Sequence, residues 1–166
     1  MGVGKTTLGE RLAKQLGLTF VDLDHAIEEA TSRTVACIFD EEGEAGFRHH
    51  ESTHLDLLLE RQNVVVATGG GTPTILGSMD KMLESGTVIW LQASIPTILH
   101  RIQNDVERPL LAGLTASQQH QKIEAILAQR MSLYQRADFI VDTEGRDPRW
   151  LMESICERIQ REKGSQ

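Results

Sequence analysis

The chain opens with Gly2-Val3-Gly4-Lys5-Thr6-Thr7, and this stretch constrains the fold more than any other. Gly4-Lys5-Thr6 matches the closing end of the phosphate-binding pattern G-x-x-x-x-G-K-[ST], whose first glycine would precede Met1. Glycines let backbone N–H groups converge on phosphate oxygens, the lysine can reach the β- and γ-phosphates, and the threonine hydroxyl can ligate Mg²⁺. Residues 5–16 are predicted to form a helix whose N-terminal dipole points at the same phosphates. The alternative is an ordinary glycine-rich helix start.

The composition is that of a single domain with one core. The 166 residues are 40% hydrophobic and 25% charged, and the formal net charge is −7. That charge argues against a nucleic-acid-binding surface. Cys37 and Cys156 are too few for a disulfide framework, and no apolar run is long enough to cross a bilayer. We therefore expect a cytoplasmic protein with no nucleic-acid or membrane partner and no secretory signal. We also expect a monomer with small-molecule partners.

Predicted strands alternate with predicted helices. Apolar and β-branched runs predict strands at 19–21, 64–67, 87–91 and 139–141. Apolar residues at helical spacing predict helices at 5–16, 26–30, 35–39, 44–60, 79–84, 95–102, 116–136 and 149–161. The alternation indicates an α/β fold, a central parallel sheet between two helical layers, with one domain over 1–166. Ligands in such folds bind beyond the C-terminal ends of the strands.

Two aspartates follow the first predicted strand. Asp22 and Asp24 are two residues apart, so in an extended segment both carboxylates face the same side. One carboxylate could help to hold Mg²⁺, and the other could accept a hydrogen bond from a substrate hydroxyl. The competing interpretation is that Asp24 caps the helix that follows.

A predicted helix carries Arg48 and Glu51 three residues apart, where the carboxylate can orient the guanidinium toward an anion. The alternative is a solvated surface pair of little energetic weight. Gly69-Gly70-Gly71 follows a buried strand and offers bare backbone to a small polar ligand, or else forms a flexible turn.

Three more arginines are candidates for contacts with anions, although an arginine alone is more often a solvated surface residue. Arg108 lies in the polar connection 104–114, which could close as a lid over the transferring phosphate. Arg130 shares a face of the long predicted helix with Tyr134, and Arg146 follows the last strand at the rim where a base could stack.

Residues His50-Glu51-Ser52-Thr53-His54 spell H-E-x-x-H, the pattern of zinc peptidases. The longer form of that pattern fails because Leu57 and Glu60 occupy its last two specified places. Glu84 stays a candidate for the third zinc ligand. We therefore keep a zinc peptidase as a minor alternative.

Taken together, these motifs resemble the shikimate kinase family, small P-loop kinases of the nucleoside monophosphate kinase type. The matching segments fall in the family's order along nearly the whole chain. They are G-V-G-K-T-T-L-G at 2–9, V-D-L-D at 21–24, E-E-G-E-A-G-F-R at 41–48, T-G-G-G at 68–71, R-P-L-L-A-G at 108–113 and R-x-x-x-Y at 130–134.

The resemblance implies ATP-dependent phosphorylation of the 3-hydroxyl of shikimate, with Mg²⁺ as cofactor and ATP as co-substrate, in the route to chorismate and aromatic amino acids. It implies catalytic roles for Lys5, Asp24 and Arg108, and a metal site at Thr6 with Asp22 acting through water. The implied ATP-binding residues are Gly2, Val3, Gly4, Lys5, Thr6, Thr7, Arg108 and Arg146. The implied shikimate-binding residues are Asp24, Arg48, Gly69, Gly70, Gly71 and Arg130, with Glu51 orienting Arg48, within a binding region at about 24–61 and a lid at about 104–114.

The resemblance also implies a strand order of 2-3-1-4-5, and the family's first strand would precede Met1. That strand would lie at the centre of the sheet, between the strands predicted at 64–67 and 87–91. We therefore expect that the natural protein starts upstream, or that the chain as written is weakly active or inactive. The corresponding alternative is a non-catalytic relative that keeps the fold.

Overall fold

The computed structural model describes residues 2–102 and 113–163. In these ranges the strands are β1 (Thr19–Asp22), β2 (Val64–Ala67), β3 (Ile89–Gln92) and β4 (Phe139–Asp142). The helices are α1 (Lys5–Leu16), α2 (Leu23–Thr31), α3 (Val35–Leu59), α4 (Ser78–Ser85), α5 (Ile95–Ile102), α6 (Ala116–Tyr134) and α7 (Pro148–Lys163), with a 3₁₀ turn at Thr72–Thr74. None of the helices in these ranges is both long and apolar enough to span a membrane.

The strands form two parallel pairs. β1 runs beside β2 with Thr19 opposite Val64, and β3 runs beside β4 with Ile89 opposite Phe139. The expected α/β fold with parallel strands is confirmed, and the two pairs correspond to strands 2-3 and 4-5 of the expected order. A continuous central sheet is not observed within the described residues, because β2 and β3 are not hydrogen-bonded to each other. Neighbouring strands must lie within about 5 Å for such bonds.

Helices cover both faces of the strands, as the alternation of elements predicts. Successive residues of β2 point to opposite faces, so Val66 packs on one buried cluster and Val65 on another. The first cluster is built by α2, α3 and α4 around Leu23, Ile27, Ile38, Phe47, Leu55, Leu58, Met79 and Met82. The second is built by α1, β4 and α7 around Leu12, Val141, Leu151, Met152, Ile155 and Cys156.

Two element boundaries differ from the sequence-based prediction in ways that matter for the site. Helix α2 begins at Leu23 rather than at residue 26, because Asp22 caps it through a bond from the Asp24 N–H. The segments expected as separate helices at 35–39 and 44–60 form one helix, α3, with a kink at Gly43. Gly43 has φ 71° and ψ −176°, a backbone conformation that a glycine adopts without steric cost.

The first cluster should dominate the stability of the fold. Leu55 is 1% exposed inside it, whereas Leu76 is 99% exposed. We expect Leu55→Ala to lower the free energy of unfolding by about 2–5 kcal/mol, because it removes buried methyl groups and leaves a cavity. The same substitution at Leu76 should change it by less than about 0.5 kcal/mol. Urea unfolding of both variants checks this, and equal losses would contradict the assigned core.

Candidate active site

The glycine-rich start of the chain leads into α1 with unusual backbone angles. Gly2 and Gly4 have φ of 62° and 87°, which side chains disfavour. Gly4 is the N-cap of α1 and supplies no side-chain hydrogen bond to the helix. The first N–H groups of a helix lack intrahelical partners, and the helix dipole is positive there. This end of α1, beginning at Lys5, is therefore suited to an anion such as phosphate.

Thr6 and Asp22 meet at the C-terminal end of β1. The Thr6 hydroxyl donates to Asp22 Oδ2 at 2.8 Å, while Asp22 Oδ1 accepts the Asp24 N–H at 3.1 Å. The alternative that Asp24 is the helix cap is therefore wrong, since Asp22 has that role. The expectation that strand alternation aligns the two carboxylates is also wrong, because Asp24 already lies in the first turn of α2.

Asp24 is a carboxylate with an unmet hydrogen-bonding requirement. Its Oδ1 is buried and has no hydrogen-bond partner in the described part of the chain. Burial, and then the negative charges of Asp22 and Glu51, raise the pKa of Asp24 from 3.8 to about 6, although Lys5 opposes the rise. A buried polar atom without a partner marks a place where a ligand can supply one.

Arg48 is held by two carboxylates. It donates to Glu51, which is fully buried, and to Glu44 at 2.9 Å. The predicted pair of Arg48 and Glu51 is confirmed, and the alternative of a solvated surface pair is wrong because Glu51 is removed from solvent. Glu51 also accepts the Thr72 hydroxyl at 2.7 Å, a contact that the sequence analysis missed. The pair is thereby tied to the turn that follows the three glycines.

Gly69 lies against Glu51 and Asp24, and Gly71 lies against Arg48. A Cβ on Gly69 would stand 2.6 Å from Glu51 Oε1 and 3.5 Å from Asp24 Oδ1. A Cβ on Gly71 would overlap the guanidinium of Arg48. The absence of side chains is therefore what lets this segment, the glycine loop at 69–71, approach the charged groups. Close packing, rather than the flexibility of a turn, accounts for glycine at both positions.

A cavity of about 160 Å³ adjoins the loop. Val3, Lys5, Gly69, Gly70 and Arg130 contribute to its lining, together with apolar side chains of β3 and α6. The structure thus brings Lys5 and Arg130, 125 positions apart in the chain, to one cavity. Three of the predicted motifs, those of Lys5, of Gly69 and Gly70, and of Arg130, therefore contribute to one cavity, whereas Asp24 and Arg48 do not line it.

Tyr134 also lines the cavity, and it makes contacts that the sequence analysis did not anticipate. Its hydroxyl donates to the Gly70 carbonyl at 2.5 Å, and its ring lies 5.5 Å from that of Trp90 on β3. The spacing of Arg130 and Tyr134 predicts that both lie on one helix face. The contact of Tyr134 with Gly70, 64 residues earlier in the chain, has no local signal in the sequence.

Two predicted residues, Thr7 and Arg146, do not line this cavity. Thr7 is exposed in the first turn of α1. Arg146 is exposed and lies over the Trp150 ring, 4.5 Å from its centroid. Arg108 and lid residues 104–112 lie outside the described residues. The roles assigned to these residues stay predictions.

The H-E-x-x-H segment has other partners in the structure. His50 Nε2 lies 3.1 Å from Glu42, His54 Nδ1 donates to the His50 carbonyl at 2.9 Å, and Glu51 serves Arg48 and Thr72 on the buried side. No cluster of three potential metal ligands is found in residues 2–102 and 113–163. The arrangement does not fit a zinc peptidase, because its glutamate is already engaged.

Comparisons with known proteins point to one family. The model of the family described as "Shikimate kinase" matches residues 1–160. A shikimate kinase of Persephonella marina is 39% identical over 159 residues, covering 96% of this chain and 94% of the relative. One of Halorhodospira halophila is 41% identical over 161 residues, covering 96% of this chain and 89% of the relative.

Solved structures give the same result at the level of the fold. Shikimate kinase from Acinetobacter baumannii in complex with shikimate has a TM-score of 0.91 at 37% identity, and the match covers 98% of this chain and 90% of that one. The enzyme from Bacteroides thetaiotaomicron has a TM-score of 0.86 at 37% identity, with 97% and 92% covered. The chain therefore belongs to the shikimate kinase family of enzymes.

Proposed function

We propose that this protein transfers the γ-phosphoryl group of ATP to the 3-hydroxyl of shikimate, giving shikimate 3-phosphate and ADP. The observation that carries the proposal is Asp24 Oδ1, a buried acceptor without a partner in the described residues. It lies beside the glycine loop and in the electrostatic field of Lys5. A hydroxylated substrate would supply the missing donor, and the proposal is supported by the relative that was solved with shikimate.

The nucleotide would bind at the start of α1. The N–H groups of residues 2–7 and the Lys5 ammonium would contact the phosphates, since Gly2 and Gly4 already hold the backbone in left-handed conformations. Arg146 would lie near the adenine, and Arg108 would reach the phosphates from the lid at about 104–114. The roles of these two arginines rest on the resemblance to the family.

Mg²⁺ is the cation that the residues at the end of β1 fit. The Thr6 hydroxyl and the Asp22 carboxylate are hard oxygen donors within 2.8 Å of each other, which is the chemistry that Mg²⁺ prefers. Thr6 would ligate the ion directly and Asp22 through water. Once bound, the ion would neutralise charge on the β- and γ-phosphates.

Shikimate would bind between α2, α3 and α6, with the region at about 24–61 supplying much of its site. Arg48 and Arg130 suit its carboxylate, because guanidinium groups bind carboxylates in a bidentate geometry. The amides of residues 69–71 and the carboxylate of Asp24 suit its hydroxyls. Glu51 and Thr72 would keep Arg48 and the loop in place while the substrate enters.

In the transfer step the 3-hydroxyl oxygen forms a bond to the γ-phosphorus, and the bond from that phosphorus to the bridging oxygen of ADP breaks. The hydroxyl proton passes to Asp24. With a pKa of about 6, Asp24 is largely ionised at neutral pH and is a stronger base than an ordinary aspartate. Alignment of the reactants and neutralisation of charge supply most of the catalysis. We further propose that the enzyme acts as a monomer in the cytoplasm.

The function is tested by ADP release from ATP with and without shikimate. We expect shikimate-dependent turnover by the wild type, and a loss of about 10²–10⁴-fold in Asp24→Asn, because the amide cannot take the proton. Shikimate binding without turnover by the wild type would instead favour a non-catalytic relative. Turnover of the variant at the wild-type rate would contradict the role of Asp24.

The same variant should be more stable than the wild type at neutral pH. An aspartate whose pKa is higher in the folded state than in the unfolded one stabilises the fold below its unfolded pKa, and this contribution is lost as the pH rises through about 6. The uncharged amide of the variant would mimic the protonated aspartate at every pH. We expect a gain in unfolding free energy of at most about 3 kcal/mol at about pH 7.5, which falls as the pH drops below about 6 and is nearly absent below about pH 4. Urea unfolding at both pH values checks this, and a gain that does not depend on pH would refute it.

Gly71→Ala tests the placement of Arg48. Gly71 has φ −90° and ψ −22°, which alanine adopts freely, so the added methyl group acts only by displacing the guanidinium. We expect the Kd for shikimate to rise by about tenfold or more, corresponding to about 1.4 kcal/mol, while the Kd for ATP stays unchanged.

The matched control for this variant is Gly86→Ala. Gly86 has extended backbone with φ 178°, and a Cβ there would meet no heavy atom within 4 Å. Calorimetric titration with shikimate should give a wild-type Kd for the control. Wild-type affinity in Gly71→Ala would show that Arg48 does not bind the acid from this position.

A further inference from the structure

We propose that Tyr134 is a positioning residue, whose hydroxyl holds the glycine loop in the orientation that receives the acid substrate. The inference rests on the proposed function. It concerns a side chain that would act through the loop and through Arg130, without itself contacting the reacting atoms.

The contact joins two elements that are far apart in the chain. The Tyr134 hydroxyl, at the end of α6, donates to the Gly70 carbonyl at 2.5 Å. The ring of Tyr134 lies 5.5 Å from that of Trp90 at an interplanar angle of 41°, a tilted aromatic contact that fixes the direction of the phenol. The hydroxyl is thus held toward the loop by packing on β3.

The direction of this bond sets the direction of the next amide. A peptide unit is planar and trans, so the Gly70 carbonyl and the Gly71 N–H point in opposite directions. Because the carbonyl points toward α6, the Gly71 N–H points away from α6. No acceptor for this N–H is found among residues 2–102 and 113–163, and the bound acid would supply one.

The opposite side of the loop is bounded by Arg48. The guanidinium occupies the space where a Cβ of Gly71 would stand, so the peptide between Gly70 and Gly71 lies between α3 and α6. Without the bond to Tyr134, only the contacts on the side of α3 and the turn itself would fix that peptide. A rotation of the peptide would turn its N–H away from the substrate.

The same bond couples the loop to a second anion-binding group. Arg130 lies one helical turn before Tyr134 on α6, and both side chains line the cavity beside Gly70. The hydroxyl therefore keeps the loop and Arg130 in a fixed relation, so that the carboxylate and the hydroxyls of one substrate can be bound together. Loss of the hydrogen bond from Tyr134 should weaken the binding of shikimate and leave the binding of ATP unchanged.

Tyr134→Phe removes this hydrogen bond and keeps the ring against Trp90. In calorimetric titrations we expect the Kd for shikimate to rise by about tenfold and the Kd for ATP to stay within about twofold. In turnover assays the KM for shikimate should rise to a similar extent, with a smaller change in kcat. An unchanged Kd for shikimate, or an equal rise for both ligands, would overturn the proposal. No binding of shikimate by the wild type would overturn the proposed function and this inference with it.

Thr74→Val is the matched control. It also removes a hydroxyl that donates to a loop carbonyl, that of Gly71 at 2.6 Å, but the Thr74 N–H continues to donate to the same oxygen at 2.8 Å. We expect less than about a twofold change in the Kd for shikimate. A rise equal to that of Tyr134→Phe would mean that any loosening of the loop has the same effect, and would overturn a specific role for Tyr134.

A second measurement avoids dependence on the folding of the variant. Tyr134 is the only tyrosine of the chain, so incorporation of 3-fluorotyrosine labels this position alone. Addition of shikimate should shift the single ¹⁹F resonance, whereas addition of ATP alone should not. A resonance that shikimate leaves unchanged would show that the phenol does not sense the acid site, and would overturn the proposal.

Discussion

A carboxylate removed from water, Glu51, is the constraint on which the rest of the site depends. Its two oxygens accept hydrogen bonds from Arg48 and Thr72, so that α3 and the turn after the glycines are joined through one side chain. A buried carboxylate without such partners would be costly, and this cost keeps both partners in place. The guanidinium is thereby fixed against Gly71 before any substrate binds. The guanidinium of Arg48 keeps its position because the carboxylate that binds it, Glu51, is buried.

The negative charge of Glu51 also affects the nearby carboxylate of Asp24. Burial raises the pKa of Asp24 most, and the negative charges of Asp22 and then of Glu51 add to the rise, while no donor in the described residues satisfies Asp24 Oδ1. The fold thus holds the carboxylate of Asp24 buried and without a hydrogen-bond donor on Oδ1. In this state Asp24 can serve the substrate as a base and as a hydrogen-bond acceptor. Strain of this kind is concentrated at functional sites and is offset by packing elsewhere. The buried cluster that α2, α3 and α4 build stabilises the helices that carry Asp24 and Glu51.

The sequence predicts the local parts of the site and misses what joins them. Arg48 and Glu51 are three residues apart on a helix, so their pairing follows from spacing alone. Burial of Glu51 and its bond to Thr72 depend on how α3 packs on the turn, which no local pattern encodes. The sequence pattern offers Asp24 as the candidate cap and so does not predict the earlier start of α2 at Leu23, which Asp22 caps. The sequence predicts two helices, at 35–39 and 44–60, whereas α3 continues through the segment between them with a kink at Gly43.

The central claim is that Asp24 and Arg48 are arranged, before binding, for the hydroxyl and the carboxylate of one substrate. A crystal structure of the protein with shikimate tests it most directly. The account predicts that the 3-hydroxyl oxygen lies within about 2.6–3.2 Å of Asp24 Oδ1, that the carboxylate contacts Arg48 and Arg130, and that the bonds of Glu51 are retained. Shikimate bound with Asp24 Oδ1 still lacking a partner, or with Arg48 turned away from the carboxylate, would contradict it.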